Sequence, residues 1–120
     1  MIRICLFAVF VATPLAALEP PWMGYWAGAG QDCAMAGDIG EKMPIELTET
    51  DEFGMEYSCE LQAVTPLGVG QSWKIERKCL DAGFVEFWPV ILVLTEADEL
   101  LSIDAQGGVS RMQRCDGPAE

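Results

Sequence analysis

Met55-Glu-Tyr-Ser-Cys-Glu-Leu-Gln-Ala63 puts Met55, Tyr57, Cys59, Leu61 and Ala63 on one side of an extended chain, and Glu56, Ser58, Glu60 and Gln62 on the other. That period of two is the pattern of a half-buried strand. Trp73-Lys-Ile-Glu-Arg-Lys-Cys79 alternates in the same way, except that Arg77 falls on the apolar side. Pro66-Leu-Gly-Val-Gly70 supplies turn residues between the two runs. A hairpin centred on Val69 sets Cys59 opposite Cys79, Leu61 opposite Arg77 and Ala63 opposite Ile75. Side chains directly opposed in an antiparallel pair are close enough for a disulfide. Four cysteines allow three pairings. The hairpin favours Cys59–Cys79, which leaves Cys33 for Cys115. A slip of one residue would send the first pair to opposite faces.

Working outward, Gly24–Gly28 is a short strand candidate. Gln31–Gly37 fits a single helical turn with Asp32 as N-cap and Gly37 just past its end. Met43–Thr48 alternates as a strand, Thr50–Gly54 reads as a turn, and Asp81–Gly83 as another. Phe84–Thr95 is apolar and rich in β-branched residues. It favours a strand, with a bulge or an edge position at Pro89. Leu100–Asp104 and Val109–Cys115 flank an Ala-Gln-Gly-Gly hairpin turn. About seven short strands without a long amphipathic helix predict an all-β domain. The simplest form is an antiparallel meander making a small barrel or half-barrel, with one short helical turn near Cys33 and two disulfides.

Met1–Ala17 reads as a secretory signal peptide. Arg3 gives a positive start, Ile4–Ala12 an apolar stretch, and Leu15-Ala-Ala17 a small-residue cleavage site. The apolar run is too short to span a bilayer. The expected organisation is therefore a leader, 1–17, and one β-barrel-like domain, 18–120. The expected compartment is periplasmic or secreted. Cys5 leaves with the leader, and the remaining even number of cysteines suits an oxidising compartment. Their wide spacing does not suit zinc, whose ligands come in close pairs.

The 120 residues contain no histidine and carry a net charge of −12. Histidine-based triads, dyads and metal sites are excluded. Seven Lys+Arg against 19 Asp+Glu argue against nucleic acid as a partner. Hydrophobic residues at 51% argue against disorder. Glu46, Glu49, Asp51, Glu52 and Glu56 lack the spacing of a calcium loop and read as a solvated hairpin tip. Ser58, Ser72 and Ser102 form no S-x-x-K with Lys74 or Lys78. Trp73, Phe84, Phe87 and Trp88 are assigned to the core. Lys74, Glu76 and Lys78 face solvent. Asp104 and Arg111 are placed opposite each other as a surface pair. No catalytic, metal-ligating or cofactor-binding residue is assigned, and ligand- or partner-binding residues stay unassigned.

Gly24-x-Trp26, a first Cys33 soon after it, the mid-chain Cys59 and Cys79, and a closing Arg114-Cys115 resemble the outline of small secreted bacterial β-barrel proteins with two disulfides. More distantly, G-x-W is similar to the first strand of lipocalins and of lipocalin-like periplasmic inhibitors. The resemblance implies a Trp at the closed end of a barrel beneath an arginine, with Arg111 or Arg114 in that part. A complete fold signature beside an empty catalytic inventory points to a non-enzymatic binding module acting on a protein or cell-envelope component, and the acidic charge, which would steer a basic partner, points in the sharper form to an inhibitor of a basic envelope enzyme. A lipocalin-like carrier of a small apolar ligand is the alternative. Either way the expected molecule is a monomer with no transmembrane segment after the leader.

Overall fold

Nine strands form from this pattern in the computed structural model, which describes residues 8–9 and 19–117. The segment read as a leader, 1–17, lies outside the described residues except for 8–9. The strands are β1 (Gly24–Ala27), β2 (Ile45–Leu47), β3 (Asp51–Gly54), β4 (Tyr57–Pro66), β5 (Gln71–Asp81), β6 (Phe84–Phe87), β7 (Val90–Leu94), β8 (Glu99–Asp104) and β9 (Val109–Cys115). Each pairs antiparallel with its successor in the chain, save that β5 pairs with both β6 and β7. β9 returns to β1, so the sheet closes as an eight-stranded barrel. Closure pairs most of the edge that an open sheet of this size would expose, and leaves β6 with a neighbour on one side alone among the described residues.

β6 and β7 are one strand in two pieces. Lys78 faces Phe87 and Ile75 faces Val90, so a single register against β5 runs through Trp88-Pro89. Pro89 has no N–H and interrupts the ladder, as a proline on an edge does. Only the second piece, β7, meets β8 on its far side.

The Cys59–Cys79 pairing holds, with a Cα separation of 4.0 Å. Leu61 faces Arg77 as expected, but Ala63 faces Glu76 instead of Ile75. Gln62 is the extra residue of a bulge, which flips the following residues so that Val64 meets Ile75. The turn expected at Thr50–Gly54 is mostly strand β3. Chain reversal falls to either side of it. At Thr48–Asp51 the Thr48 hydroxyl accepts the Asp51 N–H at 3.0 Å. At Met55-Glu56 the second residue takes φ 62°. In the last hairpin Asp104 does not meet Arg111. It faces the turn, accepting the N–H groups of Gln106 at 2.9 Å and Gly108 at 2.8 Å. Arg111 lies opposite Leu101 and reaches Glu99 at 3.3 Å.

Cys33–Cys115 joins positions 82 residues apart. Cys33 opens a short 3-10 turn, Cys33–Met35, with Asp32 accepting the Ala34 N–H as N-cap. Trp26 and Arg114 are partners across β1–β9 and share the inner face, so Cys115 points outward. The disulfide therefore pins the 28–44 connection back onto the outside of the barrel.

The core fills one half of the interior. Trp26, Leu47, Ile75, Val90, Leu92, Leu100 and Met112 are buried together with Trp22, and Trp73, Leu61 and Leu94 pack against them. Trp26 is fully buried, and its indole N–H donates to the Trp22 carbonyl at 2.9 Å. Arg114, not Arg111, lies over the Trp26 ring, 4.3 Å from its centre. Its guanidinium donates to the carbonyls of Met23 at 3.0 Å and Pro21 at 2.7 Å, and to Asp98 at 2.9 Å. Gly24 takes φ 132°, and a Cβ there would crowd that guanidinium at 3.3 Å, which explains glycine at this place in G-x-W. This end of the barrel is sealed.

Candidate functional site at the open end of the barrel

At the other end the inner face changes character. Ser102 and Ser110 are opposed across β8–β9, one step beyond the Leu100–Met112 pair. They do not fill the space that Leu and Met fill below them. The result is a mouth of about 790 Å³, bounded by Gly28, Gln31, Ile45, Ser102, Ser110 and Met112, with Glu52, Tyr57 and Arg77 on one wall.

Those three form the polar centre of the molecule. Glu52 of β3 lies opposite Leu47 and Cys59 and is 4% exposed. Arg77 of β5 donates Nη1 to both Glu52 carboxylate oxygens at 2.9 Å, and Nε to the Trp88 carbonyl at 2.8 Å. Tyr57 of β4 donates its hydroxyl to Glu52 Oε2 at 2.7 Å. The Tyr57 ring lies over Gly54, its partner across β3–β4, where any Cβ would collide with it. Arg77 Nη2 has no protein partner among the described residues. Since no buried polar side-chain atom there lacks one, Nη2 is reached by solvent.

The Glu52 carboxylate was expected at a solvated hairpin tip and is instead almost fully buried. β3 forms where a turn was expected, and its inward position falls on Glu52. Arg77, the one break in the apolar alternation of Trp73–Cys79, was the sequence signal for a buried ion pair. Lys74, Glu76 and Lys78 are exposed as expected. The core assignment of Phe84 and Phe87 is overturned, because they are 71% and 69% exposed. Phe87 lies opposite Lys78 and shares its solvent-facing side, while Phe84 stands at the rim, where β6 runs beyond the end of β8. Trp73 does pack against the core, and Trp88 is half-buried.

Burial pushes the Tyr57 hydroxyl well above the ordinary tyrosine range, and the Glu52 charge and hydrogen bond push it further; Arg77 offsets this in part. Above about pH 10 an unfolded chain loses this proton while the folded chain keeps it. Stability is therefore fully present below that pH and falls as pH rises through the alkaline range. Tyr57→Phe is expected to flatten that fall in urea unfolding between about pH 9.5 and 11.5, and to cost about 1–2 kcal/mol at neutral pH. Tyr25, the second tyrosine, is raised by burial and by Glu46, so part of the slope persists in the variant.

Searches for a matching family model, a similar curated protein and a similar solved structure each found none.

Proposed function

We propose that the protein is a non-enzymatic, exported binding module that engages another protein through the open end of its barrel. The observation that carries this reading is where the large apolar side chains stand exposed. Phe84, Val85 and Phe87 of β6, Leu80 of β5, Met55 and Ile39 cluster at or beside the mouth. The opposite end is sealed by Trp26 and Arg114, although Leu67 and Val69 stand out on its β4–β5 loop. Exposed apolar groups gathered on one face mark contact surfaces more often than chance exposure does. The Glu52–Arg77–Tyr57 group supports binding over catalysis, since its charges and most of its donors are spent on one another. Two disulfides support export to a periplasmic or extracellular compartment. A charge of −12 supports a basic partner, as an envelope enzyme under inhibition would be.

A carrier of a small ligand is the second reading, and the mouth of about 790 Å³ favours it. The filled lower half of the barrel and the polar wall argue for a small polar ligand over an apolar one. One experiment separates the two readings. Phe84→Ser/Phe87→Ser protein with both disulfides intact, immobilised beside the parent, is expected to retain about tenfold less envelope protein, because apolar anchors dominate such contacts. Retention unchanged by the double substitution would remove the open end as a protein-docking face and leave the carrier.

A further inference from the structure

Resting on that reading, we infer that the free edge of β6 takes up an extended segment of the partner, of alternating apolar and basic residues, as an added strand. The turn between β5 and β6 sets which backbone groups of β6 face outward. Ala82 and Gly83 both have positive φ, 49° and 82°, which is the two-residue hairpin turn that matches strand twist. Such a turn makes its flanking residues, Asp81 and Phe84, a hydrogen-bonded pair. Bonded pairs then alternate along the ladder: Cys79 with Glu86, and Arg77 with Trp88. The Trp88 N–H to Arg77 carbonyl bond of 2.9 Å lies where this alternation puts it.

Val85 and Phe87 are the intervening residues. Their N–H and C=O groups point away from β5, and β6 has no other neighbour among the described residues. The window is short and bounded. Gly83 ends it at the turn, and Pro89 ends it on the other side by lacking a donor. An unpaired edge carrying exposed Val85 and Phe87 is a template for strand addition.

The chemistry of the two faces selects the occupant. Val85 and Phe87 share the outer face with Leu80, so an added strand meets apolar side chains there. On the other face it meets Glu86, flanked by Phe84 and Trp88; the Glu86 carboxylate accepts the Trp88 indole N–H at 2.6 Å and stays exposed. A basic residue set against Glu86 pairs with that carboxylate, and the long aliphatic stems of basic neighbours can lie over Phe84 and Trp88. A second copy of this chain does not. Antiparallel self-pairing centred on Glu86 sets Glu86 against Glu86, and like charges directly opposed are destabilising. Centring on Val85 instead leaves Phe87 opposite Gly83, outside the strand.

The test uses the disulfide-intact protein and three capped octapeptides: alternating valine and lysine, alternating valine and glutamate, and the valine–lysine peptide N-methylated at every second residue. The valine–lysine peptide is expected to bind and to slow amide exchange at Val85 and Phe87. The glutamate and N-methylated peptides are expected to bind about tenfold more weakly or worse. Val85→Pro removes an outward N–H and no β5–β6 bond, so a folded variant with unchanged melting is expected to lose peptide binding. Should that variant bind as the parent does, should N-methylation leave binding unchanged, or should the parent bind none of the peptides, the edge inference is overturned. Loss of envelope-protein retention on Phe84→Ser/Phe87→Ser would then still stand for the open end as a docking face. A parent protein that sediments as a dimer, and as a monomer after Val85→Pro, would overturn the choice of occupant.

Discussion

Replacing Glu52 with leucine is expected to destabilise the protein by about 3–5 kcal/mol, the cost of leaving a buried charge without its partner. The size follows from burial. The Glu52 and Arg77 side chains are 6% and 13% exposed, so water screens little of what remains. Glu52→Leu strands the Arg77 Nη1 and the Tyr57 hydroxyl together. Replacing both members, Glu52→Leu with Arg77→Met, is expected to restore most of the loss, because an apolar pair of similar volume fits the wall and needs no partner. Urea unfolding of the two single variants and the double variant gives the coupling directly. If the double variant is as unstable as the sum of the singles, the pair is not a coupled unit and the wall is held by packing alone. The same double variant tests the carrier reading, since it leaves the apolar rim in place and changes only the wall of the mouth.

Removing the Cys33–Cys115 bridge by Cys33→Ala/Cys115→Ala is expected to cost about 4–5 kcal/mol, against about 3 for Cys59→Ala/Cys79→Ala. The ranking comes from loop length. The first bridge spans 82 residues and the second 20, so the first removes more freedom from the unfolded chain. For a domain whose total stability is about 5–15 kcal/mol, either loss is large. Their local consequences differ. Cys59 and Cys79 already face each other in a continuous ladder, so their strands remain paired without the bond. Besides the bridge, the 28–44 connection is held by a 3-10 turn, a few turn bonds and the burial of Ala36 and Pro44. Hydrogen exchange after loss of Cys33–Cys115 is expected to rise first at 28–44, next to the mouth. A uniform rise across the barrel would count against that tether.

The strands and bridges could be read in advance for a local reason. Alternation along Met55–Ala63 and Trp73–Cys79 is visible within a few residues, and the hairpin between them fixes one register. The bulge at Gln62 escaped because a single inserted residue leaves the composition of the strand unchanged. Glu52 escaped for a different reason. Its burial depends on Arg77, 25 positions away and two strands over, and among neighbouring acids it carried no mark of its own. Arg77 did carry a mark, as the one charge on the apolar side of Trp73–Cys79. Phe84 and Phe87 were misassigned because residue type predicts burial only where something lies on top. How far β8 extends beside β6 is a property of the closed sheet, and a local pattern does not contain it.

Arg114 ties Pro21 and Met23 to the last strand at the sealed end. Residues 19 and 117 thus sit at the same pole, opposite the mouth. A tag, linker or surface attachment joined at either of them would project backwards and leave the receptive rim facing solution, so an immobilised sample presents it in a uniform orientation.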